Sequence, residues 1–429
     1  MTQPPGASTR NRTVRMPLTV AATLAFVAVA LVATMITVIL ITWGGDDEPT
    51  VAEAPADPAD TAGPATASPT EAVPDDDTGS EPTPSPATAN PDADAPGSGE
   101  SAPSELVAAE IGTPLTGAES ISGVALGELD GSLVAVTVGA SAPTVWNLET
   151  GEQIGEPLSG YLGGAGSIAV GDVDGTLYAA TAGTDSKSPG LWNLRTGEQV
   201  NDPVSGGVLT FLQAVATAEV DGVPVAVTGS AGVDRTVRMW DLATGDQIGD
   251  ELGSHKDDVE AVATGLMDGV PVAVTTGDDR RLRVWDLSAR EPIGDPIDTW
   301  HREWVRAVAM GDVDGTAVAV TGSDDGALRV FDLAALEQVG DPLEEHTGPV
   351  RSVAVGEVGG VPIAVSAGEQ EIRAWDLENH EQIGDPFIAH LGSVNAVALG
   401  ELDGVPIAVS AGEHGALHRW DLTPIGEIR

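Results

Sequence analysis

The 429-residue chain has no cysteine, which excludes disulfide staples and thiolate metal sites. It is compatible with an oxidising exterior. Basic residues are scarce: 19 Lys and Arg stand against 66 Asp and Glu, a formal net charge of −47. A phosphate-binding surface needs clustered Lys and Arg, so the balance argues against nucleic acid as a partner. Lysine occurs only at Lys187 and Lys256. Such acidity also suits a salt-adapted or cation-buffering surface. Long apolar runs are missing, with one exception. Residues 17–43 carry no charge and are rich in Ala, Val, Leu, Ile and Thr.

That run follows a short basic N-terminus, residues 1–16, with Arg10, Arg12 and Arg15; Asp46, Asp47 and Glu48 come after it. As a helix, 18–43 would span roughly 39 Å, enough for a bilayer core with some tilt. Arginines on one side only place the N-terminus in the cytoplasm, and Trp43 sits where an interfacial anchor belongs. A cleaved signal peptide, processed near Ala52-Glu53-Ala54, is the competing reading, but its apolar core is usually only about 7–15 residues. Both readings put the rest of the chain outside the cytoplasm. Residues 44–104 are Pro, Ala, Thr, Ser, Gly and acid. They hold too little apolar surface to offset their ordering entropy, so a disordered, extended stalk is expected.

From about residue 105 onward one phrase recurs. A Trp or Phe followed by Asp or Asn falls at Trp146, Trp192, Trp240, Trp285, Phe331, Trp375 and Trp420, with steps of 46, 48, 45, 46, 44 and 45 residues. Each unit alternates apolar with small or polar residues in short runs broken by Gly, Asp and Pro, the period of strands bounded by turns. Four strands fit one unit; in the fourth they are a (259–265), b (272–276), c (282–287) and d (about 292–296). The a–b turn is Asp-Gly in six units, for example Asp268-Gly269, and Gly359-Gly360 in the sixth. Tight hairpins need positive φ at both turn residues, which these supply most cheaply. The b runs, such as Val272-Ala273-Val274, read as strands buried on both faces.

Four strands repeated about every 45 residues mark a β-propeller. The Trp-Asp anchors at this period resemble the WD40 family over residues 105–429. The fold class expected is therefore all-β, a seven-bladed WD40-type β-propeller preceded by one transmembrane helix and a disordered linker. Propellers of this kind commonly close by sharing a blade between the two ends of the chain. Here Glu110-Ile111-Gly112-Thr113-Pro114-Leu115 copies the d phrase without a, b or c before it. It is expected to complete the last blade. The resemblance also implies a structural set in each blade. In the fourth it is His255, Thr275, Asp279 and Trp285; in the fifth, His301, Thr321 and Asp325, ending early because Phe331 has no indole donor. The sixth offers His346 with Glu369 in the Asp place, the seventh His390 with His414. The first two lack the His and the turn Asp. His, Asp and Thr together suggest a catalytic triad, but a set repeated from blade to blade is better read as structure. The Asp-x-Asp-Gly turns lack the ligand spacing of a calcium loop.

By the family's geometry the d–a and b–c loops share one face. Two of them break the acidic monotony: Trp300, Arg302 and Trp304 in one, Arg280 and Arg281 in the other, with Phe211 the counterpart of Trp304 in the third unit. Trp and Arg are enriched at interaction hot spots, so these six are the candidate partner-binding residues. The function expected is a membrane-anchored, extracytoplasmic, non-catalytic scaffold: a monomeric ring binding a protein partner, with no cofactor and no metal. The alternative is a propeller hydrolase acting on glycans or peptides through carboxylates near the central channel.

Overall fold

The computed structural model describes residues 108–116, 120–160, 164–183, 186, 188–201, 210–388 and 390–427. The expected membrane span and stalk lie outside the described residues, and among the described residues no helix is long and apolar enough to cross a membrane.

Seven antiparallel sheets follow one another along the chain, six of them with four strands in simple meander order. In the fourth blade the strands are Val259–Met267 (a), Val270–Gly277 (b), Arg281–Asp286 (c) and Glu291–Asp298 (d). Every a strand touches the a strand of the next blade, and the a strand of the seventh, Val394–Leu402, touches that of the first, Ile121–Leu129. The sheets therefore form a closed seven-bladed propeller.

Local chemistry explains each blade. In the a–b turns Asp268 has φ 51° and Gly269 φ 79°, and Gly359 and Gly360 in the sixth blade have φ 59° and 83°. A left-handed residue at both places is the geometry of a two-residue hairpin. Val272, Ala273 and Val274 of strand b are completely buried, because each blade is covered by neighbours on both faces. Close stacking also demands glycine on strand a: a Cβ built on Gly311 would lie 2.2 Å from Val355 Cγ1 of the next blade.

Ring closure uses the segment expected to provide it. Ala109 pairs with Asp421 and Glu110 with Trp420; after a bulge, Leu115 pairs with Leu417 and Thr116 with Ala416. The Ile111 amide donates to the Arg419 carbonyl at 2.7 Å. The bulge belongs to the d-strand design, since the fourth blade shifts register between Leu282 and Val284 in the same way. Leu115 is buried with Ile121, Trp146 and Leu417, so one side chain joins the last blade to the first. Burying such a leucine contributes about 1.5–3 kcal/mol. After the seventh c strand comes a 3-10 turn, Thr423–Glu427, and among the described residues no later strand pairs with that c strand.

A chain beginning at residue 118 should therefore show a markedly lower thermal midpoint than one beginning at 105, and should associate through the bared Ala416–Asp421 edge. Calorimetry and light scattering on the two truncations check this. Equal midpoints with no association would mean that the borrowed strand carries no weight.

Candidate functional site

The blade network comes first because it positions the loops. In the fourth blade His255 Nε2 lies 2.7 Å from Thr275 Oγ1 and His255 Nδ1 lies 3.0 Å from Asp279 Oδ1. The Trp285 indole donates to Thr275 Oγ1 at 2.9 Å. Asp279 Oδ2 accepts from the Lys256 amide at 3.0 Å and from Arg283 at 2.8 Å. Burial lowers the His255 pKa against the pull of Asp279. The ring is then neutral, with Nδ1 set between the Asp279 carboxylate and the Arg283 guanidinium, 2.7 Å away, and Nε2 against the threonine hydroxyl. Burial alone would raise Asp279; the hydrogen bond and charge of His255, with the Lys256 amide and Arg283, hold it well below the usual carboxylate range. The carboxylate thus ties the d–a loop to the b–c turn.

The fifth blade repeats this with His301, Thr321 (2.8 Å) and Asp325 (3.1 Å), and Arg302 N–H reaches Asp325 at 2.8 Å. With no indole from Phe331, Thr321 Oγ1 lies 3.4 Å from the Arg329 carbonyl. The sixth blade corrects one expectation. Glu371, not Glu369, meets His346 Nδ1 at 3.1 Å and also binds Arg373 at 3.0 Å. It starts two residues before the strand arginine, where Asp279 starts four before Arg283, and the longer side chain spans the difference. Glu369 instead lies against Gly348. Burial pushes His346 down to about 4. In the first blade Trp146 still reaches Thr137 at 3.2 Å, whereas in the second Trp192 donates to the Ser159 carbonyl at 2.9 Å.

On the face these networks fix, the structure brings two of the expected loops together. Arg281 pairs with Asp298 in the c–d ladder, and the loop after Asp298 carries His301 into the network of the fifth blade, so neighbouring blades bring the two loops within reach of each other. Thr299 Oγ1 donates to the Arg280 carbonyl at 2.9 Å, and Arg280 Nη1 to the Arg302 carbonyl at 3.3 Å. Arg280 and Trp300 both adopt left-handed φ, 54° and 55°, a costly conformation for large side chains. The hydrogen bond from Trp300 N to Asp298 Oδ1, 2.9 Å, helps hold it. Trp300 is 68% exposed and Trp304 49%; Trp304 carries the Arg306 guanidinium over its ring at 4.6 Å. Arg281 is paired with Asp298 at 3.0 Å. Phe211 is half-buried at the end of the third blade, two blades from Trp304.

Trp304 leads to a feature that the motif reading missed. One residue at or near the start of strand a in each blade lines the mouth of the central channel: Ser122, Gly166, Gln213, Glu260, Arg306, Arg351 and Asn395, around a cavity of about 620 Å³. Seven equivalent positions carry six different residue types, and that divergence within a strict repeat was the available signal. Arg306 is paired with Glu260 at 3.0 Å and Asp324 at 3.1 Å, and lies 3.9 Å from Asp278. Asp258, Glu260 and Asp278 place ligand atoms within 4.8 Å of one another. Burial, then the charge of Glu260, pushes Asp278 up to about 6.

Two stability measurements follow. Thr275→Val strands both His255 and the Trp285 indole, whereas Thr321→Val strands only His301, so the first should cost about 1 kcal/mol or more beyond the second. Denaturation of both variants tests the ranking, and equal costs would refute it. The stability tied to protonated Asp278 is fully present below its unfolded pKa of 3.8 and is lost as pH rises through about 6. Asp278→Asn should therefore raise the thermal midpoint relative to the parent at pH 8 and confer no advantage near pH 4. A pH-independent difference would contradict the assignment.

Residues 294–332 match the WD40 family, described as WD domain, G-beta repeat. The stretch runs from the outer strand of the fourth blade through Phe331-Asp332 of the fifth, one repeat of the ring. No curated protein matches the chain. One matched repeat within seven sheets of the same construction supports a WD40-type β-propeller, a fold commonly used as a protein-interaction scaffold.

Proposed function

We propose that the protein is a membrane-anchored, extracytoplasmic propeller that acts as a non-catalytic scaffold and presents the loop face of blades four to six to a protein partner. One observation carries the reading. Lys256, Arg280, Arg302 and Arg351 are exposed on that face, and none has a carboxylate within 4 Å among the described residues. Acids outnumber bases 66 to 19, so cations left unpaired beside two exposed tryptophans mark a surface whose counterpart is another molecule. Trp and Arg anchors suit a protein contact. The field of −47 charges disfavours acidic molecules at long range, and the loop arginines then fix register at short range. The uncharged run 17–43 behind three arginines supports the anchor and its orientation.

The hydrolase reading has one observation in its favour, the convergence of Asp258, Glu260 and Asp278. Two others weigh against it. Arg306 occupies the space among these groups, and the Asp278 position is acidic again in Asp324, Glu369 and Glu413. A repeated acid is a feature of blade construction.

Two experiments on the full-length chain test the proposal. A membrane-impermeant amine reagent applied to intact cells should modify Lys256; protection until lysis would overturn the placement. Cross-linked partners of the parent should include at least one absent from Trp300→Ala/Arg302→Ala. Identical sets would remove this sector as the binding surface, and hydrolysis of glycan or peptide substrates lost in Asp278→Asn would favour the enzyme.

A further inference from the structure

We propose that the seventh blade holds a site for a divalent transition metal, ligated by His390, His414 and His418 and steadied by Ser410 and Glu110. This departs from the metal-free expectation for the chain, and it is independent of the partner-binding surface.

Blade seven departs from the repeat at the loop network. In blades four, five and six the loop histidine turns Nδ1 to a carboxylate, at 3.0 Å for Asp279, 3.1 Å for Asp325 and 3.1 Å for Glu371. In blade seven the residue at the Asp279 position is His414, and the one at the Arg283 position is His418. The acid and its arginine are both replaced by imidazoles. His390 is 8% exposed, and its Nδ1 has no hydrogen-bond partner among the described residues. Three of the chain's seven histidines meet here.

The outer contacts are those of ligating histidines, which typically engage the second ring nitrogen with an oxygen. His390 Nε2 lies 2.8 Å from Ser410 Oγ, and His418 Nδ1 lies 2.7 Å from Glu110 Oε1. With Nε2–H of His390 donating to Ser410 Oγ and Nδ1–H of His418 donating to Glu110, Nδ1 of His390 and Nε2 of His418 carry the free lone pairs. The two rings stand 4.3 Å apart, centroid to centroid. His414 is exposed on the b–c turn and lies over Gly392 of the loop that carries His390; a Cβ built on Gly392 would come within 2.8 Å of its Cε1. The three nitrogens do not yet share one point, because the only trio of ligand atoms already within 4.8 Å among the described residues is Asp258, Glu260 and Asp278. A side-chain rotation of His414 completes the site. Three imidazoles with water in the fourth position suit zinc, and imidazole favours zinc, copper or nickel over magnesium or calcium. Glu110 belongs to the borrowed strand, so a metal on His418 would tie ring closure to metal binding.

The test uses the full chain without an affinity tag, stripped with chelator and titrated with zinc chloride. Calorimetry should show one tight site, with a rise in thermal midpoint that magnesium and calcium do not reproduce. Cobalt should give the visible absorption of a tetrahedral complex. His414→Ala changes only an exposed side chain and should keep the metal-free midpoint while weakening zinc about tenfold or more. Glu110→Gln should weaken it by about 10–100-fold. Absence of a one-site isotherm in the parent, or unchanged affinity in His414→Ala, would overturn the proposal.

Discussion

A meander of sheets leaves one unpaired edge at its end, and the ring depends on covering it. The strand that does so comes from the other end of the repeat region: Ala109–Glu110 and Leu115–Thr116 against Ala416–Asp421. An open edge of backbone donors and acceptors would invite another chain. Closure does more than satisfy those groups. It buries Leu115 against Ile121 and Trp146 of the first blade, converting a row of nearest-neighbour contacts into a cycle in which no blade is terminal. The tight stacking of strands b, mostly Ala and Val at their centres, is available only to blades covered on both sides.

Once the cycle is in place, repetition separates scaffold from function. Whatever recurs at the same register in several blades is explained by the blade. The His255–Thr275–Trp285 chain, the Asp-Gly turns and the acid at Asp278 are of this kind. Function has to reside where copies diverge. Three places meet that criterion: the channel mouth with its six residue types, the Trp300–Trp304 loop, and the three imidazoles of blade seven. They draw on different blades but share the loop face, because the d–a and b–c connections converge there.

Much of this was legible in the sequence, for a physical reason. Strand period, turn chemistry and the Trp-Asp anchor are local signals, and seven copies average out the noise in each. The borrowed strand was legible because its Ile-Gly-x-Pro phrase survives without the rest of a unit. What escaped needed side-chain reach or a ring radius. Glu371 rather than Glu369 meets His346 because the b–c turn of the sixth blade is one residue shorter than that of the fourth, which moves the reaching position along the turn. Phe211 matched Trp304 in register, but register says nothing of distance around a ring. The channel mouth escaped because its seven residues lie about 45 positions apart and converge only on closure.

The acidity has a structural consequence as well. Each outer strand presents an exposed edge, and in five of the seven blades a left-handed glycine followed by an acid interrupts it. Gly155-Glu156, Gly249-Asp250, Gly294-Asp295, Gly340-Asp341 and Gly384-Asp385 all follow this pattern, with the glycines at φ between 63° and 72°. Proline follows the acid in four of the five, removing one amide donor. The bulge breaks the hydrogen-bonding register, the carboxylate repels a second acidic ring, and the strand cannot template another. Five interrupted edges on one ring would otherwise be five sites of edge-to-edge association. On this argument the charge does not specify the fold, which the turns and buried strands determine. It keeps a fold with many outer edges from finding partners through its backbone.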